Sequence, residues 1–334
     1  MQHQVGDGMS ITTDLLIVGA GPVGLYAAYY AGFRGFDTVV CDTLPEVGGQ
    51  ISAMYPEKLI YDVAGFPAVR GRDLVEGLAE QANSFSPHYV LGEQAQTLEH
   101  TSEGVRVTTA AGTEIDAKVL LITAGIGAFR PRPLPAADGF SGDGIVFFVP
   151  KLDVHAGQDV VIVGGGDSAF DWALSLHDIA KSVTLVHRRE AFRAHGATVD
   201  RVRDAGVRLV TSSEVSAIEG AGHVTGVEVT HKVSGVSELL PADAVVAALG
   251  FIAAIGPLAE WGIELQKRHI LVDTTMATNL PRVFAAGDIA MYPGKVPLIA
   301  VGFGEAALAV NNAAPLIDPT HGVFPGHSSG ESTG

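Results

Sequence analysis

Short, uninterrupted apolar runs that end at glycine recur along this chain. The first is Asp14-Leu-Leu-Ile-Val-Gly19, and a run of this kind predicts a strand covered on both faces, as in a parallel sheet. A helical stretch follows from about Pro22 to Gly35, and Thr38-Val-Val-Cys-Asp42 predicts a second strand. Together they form a βαβ unit with its glycines at the strand–helix turn. The pattern returns at Asp159-Val-Val-Ile-Val-Gly164, with a helix from Asp167 to about Ala180 and a strand at Ser182-Val-Thr-Leu-Val-His187. Two such starts so far apart imply two nucleotide-binding domains, not one sheet.

Between them, Arg106-Val-Thr-Thr-Ala110 and Lys118-Val-Leu-Leu-Ile-Thr123 predict a β-ribbon returning to the first sheet. The stretch Gly125 to Pro135 holds three prolines and little periodicity, which predicts a linker. A similar transition follows Ala244-Val-Val-Ala-Ala-Leu-Gly250. Ile270-Leu-Val-Asp273 and Val283-Phe-Ala-Ala-Gly-Asp288 then precede a last helix from about Gly302 to Ala314. The simplest architecture is an α/β fold of two Rossmann-like, three-layer ββα domains, one inserted into the other. Residues 10–127 and 250–334 would form the outer domain and 128–249 the inserted one. Residues 1–9 read as a disordered leader, and the last five residues as a frayed end.

Composition narrows the function classes. A formal net charge of −16 argues against general nucleic-acid binding, because a phosphate backbone would be repelled. The chain has one cysteine, Cys41, which cannot form an internal disulfide or a four-cysteine zinc site and suits a reducing cytosol. No apolar run of membrane length and no signal-peptide pattern appears, so the expected location is cytoplasmic. The histidines show no metal-ligand spacing and no metal site is expected. Cys41 lies on a strand expected to be buried, where a thiol serves as a small core residue and not as a nucleophile.

The candidate chemistry sits at the glycine turns. In Gly19-Ala-Gly21-Pro-Val23-Gly24 the first glycine makes the tight turn, the second lets the backbone approach a pyrophosphate, and the third lets helix and strand pack closely. The helix N-terminus adds unpaired N–H groups. Asp42 ends the next strand, where a carboxylate can accept both ribose hydroxyls. The second loop is Gly164-Gly165-Gly166-Asp167-Ser168, and its next strand ends in His187-Arg188-Arg189, with Arg193 following. Guanidinium groups there pair with a ribose 2′-phosphate, which points to NADP and not NAD. A purely structural turn at the first loop and a solvated basic turn at the second are the alternatives.

Taken together these residues resemble the thioredoxin-reductase superfamily, and within it the ferredoxin–NADP⁺ reductase branch, from about Asp14 to Ser329. The resemblance rests on Gly48-Gly-Gln-Ile51, Tyr55-Pro-Glu-Lys58, Tyr61-Asp-Val-Ala-Gly-Phe-Pro67, Gly164 to Trp172, Tyr292-Pro-Gly-Lys295, Gly302-Phe-Gly-Glu-Ala-Ala307 and Pro325-Gly-His-Ser-Ser329. It implies FAD in the first domain, bound by Gly19, Gly21, Val23, Gly24 and Asp42, with Gln50 and Asp288 near the flavin and ribityl chain. It further implies that Tyr55 stacks on one flavin face, that Ala95 contacts the adenine side, and that Phe129 lines the cofactor. His327 and Ser329 fall in a tail that would reach the flavin of a second subunit, which implies a homodimer. One departure is informative: where thioredoxin reductase carries Cys-x-x-Cys, the Phe147-Phe-Val-Pro150 region has no cysteine, so reduction through a dithiol is excluded.

The implied reaction is hydride transfer between NADPH and FAD, then single-electron transfers with ferredoxin or flavodoxin. A domain rotation would bring the nicotinamide to the flavin. Lys58, Arg130, Arg132 and Lys295 are the expected docking cations for an acidic carrier. Two readings compete: an NADPH-dependent flavin or quinone reductase or oxidase, and a nucleotide-sensing binding protein without turnover.

Overall fold

The structure, a computed structural model, describes residues 10–326 and, at Ala128 and Phe129, the backbone alone. The proposed leader, His327 and Ser329 lie outside the described residues. The chain divides into two compact units, one of residues 10–53, Leu59–Ala128 and 253–326, the other of Met54–Lys58 and Phe129–Ile252.

The first unit is built on a seven-stranded sheet. Its path runs His88–Leu91, Thr38–Asp42, Ser10–Val18, Glu114–Ile122, Val105–Thr109, Ala95–His100, and Val283–Ala285 pairs with Glu114–Ile122. The Ser10–Val18 strand is central and parallel to both neighbours, with Ile17 opposite Val40 and Leu121. This explains its unbroken apolar run: Leu15, Leu16 and Ile17 are all buried, each contributing about 1.5–3 kcal/mol of transfer free energy. The ribbon predicted from residues 106–123 is antiparallel, and its second strand joins the central strand. The helices Pro22–Phe33, Gly71–Asn83 and Ile299–Ile317 pack together in this unit.

The second unit has a five-stranded parallel sheet in the order Ile145–Val146, Ala244–Ala247, Asp159–Val163, Ser182–Val186, Arg208–Val210. The period-2 alternation of a strand sorts its side chains into two cores. Val160 and Ile162 join Phe170, Trp172 and Leu176 of the Asp167–His177 helix. Val161 and Val163 join Val227, Val229 and Leu240, which belong to an antiparallel meander of Ser213–Glu219, Gly226–His231 and Ser237–Pro241. Helices on one face and a meander on the other give the expected three-layer arrangement. The α/β class with Rossmann-like units is borne out.

Candidate functional site

In the first unit, packing alone dictates the turn after Ser10–Val18. Gly19 has φ +117°, and a Cβ there would lie 2.4 Å from the Thr123 carbonyl oxygen. The Thr123 hydroxyl donates to the Gly19 carbonyl at 2.7 Å and holds it. A Cβ on Gly24 would meet that same carbonyl at 1.8 Å, so the helix can approach the strand only without a side chain. Gly21 is different. A Cβ there would find nothing within 4 Å, yet Gly21 is the N-cap of the Pro22–Phe33 helix. Open space before the free N–H groups of a helix suits a pyrophosphate.

Other predicted residues gather around this helix start. Asp42 accepts the Ala20 N–H at 2.6 Å through Oδ2 and the Leu44 N–H at 2.8 Å through Oδ1. Burial raises its carboxyl above the usual range, and the N–H bonds of Leu44, Ala20 and Thr43 oppose that rise. The Gly48 N–H donates to the Ala20 carbonyl, and a Cβ on Gly49 would touch Gly21 Cα at 3.0 Å, so the turn carrying Gln50 closes on the loop. A Cβ on Gly125 would meet the Gln50 amide nitrogen at 3.1 Å. Val23 is the contact for a Cβ on Gly287 at 3.2 Å and on Gly302 at 2.5 Å, which brings Asp288 and the Ile299–Ile317 helix to the same place. Ala95 is buried and starts the strand that follows Glu93, whose N–H donates to the Asp42 carbonyl.

The second unit repeats the design with different chemistry. A Cβ on Gly164 would lie 2.5 Å from the Ala248 carbonyl oxygen. Gly166 caps the Asp167–His177 helix and is open, its nearest neighbour being Arg193 Nη2 at 3.8 Å. Gly165 must be bare because the His187 ring lies against it, at 2.2 Å from where a Cβ would be. The Gly165 carbonyl accepts the Arg193 N–H at 2.8 Å. Asp167 turns to the backbone and accepts the His195 N–H at 2.8 Å, which braces the 187–195 loop, while Ser168 is exposed. Arg188, Arg189 and Arg193 are exposed, and no ion pair among the described residues engages them. Burial first, and then the three guanidinium charges, lower the His187 pKa, so its ring is neutral at pH 7.

Tyr55 groups with the second unit, half-buried against the cluster that contains Phe170 and Leu176. Lys58 is nearby in sequence and pairs with Asp171 at 2.5 Å. The Phe129 side chain is outside the described residues. Lys295 does not fit its expected role as a docking cation. Its side chain is only 4% exposed and is ion-paired with Glu305, itself 3% exposed. A buried, neutralised ammonium offers nothing to an approaching protein, whereas Arg130 and Arg132 are exposed. Sequence reading missed Thr123, Asp171 and Glu305. Only Glu305 carried a signal, as the one charged residue of the Ile299–Ile317 helix. Among the described residues no group of histidine, cysteine and carboxylate side chains could hold a metal ion.

The sequence matches the family described as Pyridine nucleotide-disulphide oxidoreductase over residues 13–313. The chain belongs to this family. A relative from Nocardioides sp. named ferredoxin–NADP reductase is 62% identical over 324 residues, covering 96% of this chain and 98% of the relative. One of the same name from Frankia casuarinae is 60% identical over 320 residues, covering 96% and 100%. Among solved structures, the thioredoxin reductase of T. acidophilum superposes with a TM-score of 0.76 at 27% identity, covering 92% of this chain and 98% of that one. The resemblance to the thioredoxin-reductase-like ferredoxin–NADP reductases is therefore borne out. Cys41 is the single cysteine of this chain. Burial, with the charges of Asp42 and Glu93 adding to it, pushes the Cys41 thiol up to about 12. A buried thiol without a partner cannot pass electrons as a dithiol.

Proposed function

We propose that this chain is an FAD-containing, NADPH-dependent reductase that exchanges electrons with ferredoxin or flavodoxin. The observation that carries the reading is the combination of two open glycine cradles with a single inert thiol. Bound FAD would convert a two-electron hydride into single electrons, chemistry that no side chain here supplies. The protein's own work is to bind, orient and cover.

In this reading residues 10–127 and 250–334 hold FAD and residues 128–249 hold NADPH. Gly19, Gly21, Val23 and Gly24 admit the FAD pyrophosphate, and Asp42 takes the adenosine ribose with its remaining lone pairs. Gln50, Ala95, Phe129 and Asp288 line the same cofactor. Gly164, Gly165, Gly166, Asp167 and Ser168 form the NADP cradle, and Arg188, Arg189 and Arg193 grip its 2′-phosphate, with neutral His187 packed beneath. Tyr55 would cover one flavin face, and the tail with His327 and Ser329 would cover the second face of the flavin in the other subunit; neither face needs an acid or a base.

A homodimer fits the outer surface of the first unit. Tyr26, Tyr29, Tyr30, Phe33, Phe85 and Phe303 form a continuous set of ring contacts, of which Phe33 and Phe85 are exposed, as are Leu308 and Leu316. A sedimentation mass of one chain would remove this part of the reading. A cytoplasmic location is supported by the lone thiol and by the lack, among the described residues, of any helix long and apolar enough to cross a membrane. Cell fractionation tests it.

The function is tested by NADPH-driven turnover with ferredoxin, flavodoxin, quinone and oxygen in parallel. Ferredoxin or flavodoxin should be reduced far faster than quinone or oxygen. Arg130→Glu with Arg132→Glu should slow the carrier reaction and flatten its salt dependence. Preferential turnover of quinone or oxygen would replace the reading with a small-molecule reductase or oxidase.

A further inference from the structure

Buried charge is costly, and a protein keeps it only where every charge is paired and hydrogen-bonded. Among the described residues the most deeply buried ion pair lies in the first unit, between Lys295 and Glu305. The Glu305 carboxylate is satisfied on both oxygens. Oε2 accepts the Gly287 N–H at 2.8 Å. Oε1 accepts the Tyr292 hydroxyl at 2.6 Å and the Lys295 ammonium. Lys295 also lies 5.7 Å from the centre of the Tyr292 ring, and its N–H closes the 292–295 turn on the Tyr292 carbonyl.

The position of this cluster matters more than its stability. Gly287 is at φ +81° and directly precedes Asp288, and a Cβ on Gly287 would crowd Val23 of the first glycine loop. The bond from Gly287 to Glu305 therefore fixes the turn from which Asp288 projects. It also sets a carboxylate one residue away from another carboxylate, and like charges at that range oppose each other's ionisation.

We propose that Glu305 and Lys295 are positioning residues for Asp288: Glu305 holds the Gly287–Asp288 turn, and Lys295 cancels the charge that Glu305 would otherwise set against Asp288. The ordering of the neighbouring charges agrees. Burial raises the Asp288 pKa, Lys295 lowers it, Glu305 raises it, and His269, from the His269–Leu271 strand, lowers it. Tyr292, the other titratable group of the cluster, donates its hydroxyl to Glu305, and burial and that bond push its pKa up to about 12. A neutral pair behind Asp288 adds no net charge to the rise that burial imposes on its carboxyl. The alternative, an apolar pair in place of Lys295 and Glu305, would leave the Gly287 N–H without its acceptor. This proposal rests on the reading that Asp288 faces FAD.

The test follows Asp288 directly in the flavin-loaded protein labelled with carboxyl-¹³C aspartate, its resonance assigned by loss in Asp288→Asn. Lys295→Met should raise the Asp288 titration midpoint by about one pH unit, the effect of removing a nearby opposite charge. Adding Glu305→Gln, which keeps an acceptor for Gly287 but no charge, should return the midpoint to the wild-type position. A cluster with a merely structural role would shift neither. If Lys295→Met does not fold, Glu305→Gln alone must lower the midpoint. An unmoved midpoint in Lys295→Met, or a double variant that stays displaced, overturns the proposal. His269→Gln, introduced together with Lys295→Met, removes the imidazole that also neighbours Asp288, and the displacement caused by Lys295→Met must persist. The cofactor reading is judged separately by the FAD dissociation constant of Asp288→Ala, which removes the acceptor altogether. If that constant equals the wild-type value, Asp288 does not face FAD, whatever the titrations show.

Discussion

Three arginines without carboxylate partners are the most specific chemistry in the molecule. Arg188, Arg189 and Arg193 spend no hydrogen bonds on ion pairs among the described residues, and they stand beside an open glycine turn and a neutral histidine. A guanidinium left free in this way is available for a phosphate, and a charge-assisted pair contributes about 1.5–3 kcal/mol. Arg189→Ala should therefore raise the KM for NADPH by about 10- to 100-fold, the kinetic equivalent of one such bond. The KM for NADH should stay the same, because NADH lacks the 2′-phosphate. Steady-state assays with both nucleotides check this, and an equal rise for both would mean that Arg189 holds the common part of the molecule. Cys41 shows the opposite case, a reactive atom type made inert by its place in the sheet.

At the level of elements, the two glycine turns separate packing from ligand binding. Gly24→Ala puts a methyl 1.8 Å from the Gly19 carbonyl, which forces helix and strand apart and should cost about 1–3 kcal/mol or more. Gly21→Ala meets nothing within 4 Å, so its stability should be unchanged while its methyl occupies the space proposed for the pyrophosphate. Thermal melting of the apoprotein and the flavin retained on purification distinguish the two. Gly24→Ala should melt lower, and Gly21→Ala should melt normally but lose its yellow colour. A Gly21→Ala protein that keeps its flavin would count against the cradle.

Legibility followed the same division. The parallel strands were plain because burial on both faces removes polar residues, as at Leu15–Ile17 and Val160–Ile162. The meander of residues 213–241 was not assigned, because exposed Leu239 adjoins buried Leu240 and hides the alternation of a half-covered sheet. The last helix was expected from Gly302 to Ala314 but runs Ile299–Ile317, with Pro315 inside it. Gly302 is a close contact with Val23 and not a helix start, and the Asp318 N–H still reaches the Ala314 carbonyl. Lys295 misled because a lysine in a Pro-Gly turn looks exposed, and nothing local reveals a glutamate ten residues on that buries it.

At the scale of the whole molecule, one chain carries two dinucleotide-type units, the second inserted in the first, and no dithiol to pass electrons on to an acceptor. Electrons entering from a nicotinamide would then leave through the flavin alone. The net charge of −16 sets a long-range repulsion against any acidic carrier, which the proposed docking at exposed Arg130 and Arg132 would offset locally. The most direct measurement is stopped-flow absorbance of the purified yellow protein mixed with NADPH or NADH, followed by oxidised ferredoxin. NADPH should bleach the flavin much faster than NADH at equal concentration, and ferredoxin should restore the colour without any added thiol. A colourless protein, or a flavin that NADPH leaves oxidised, would contradict the account.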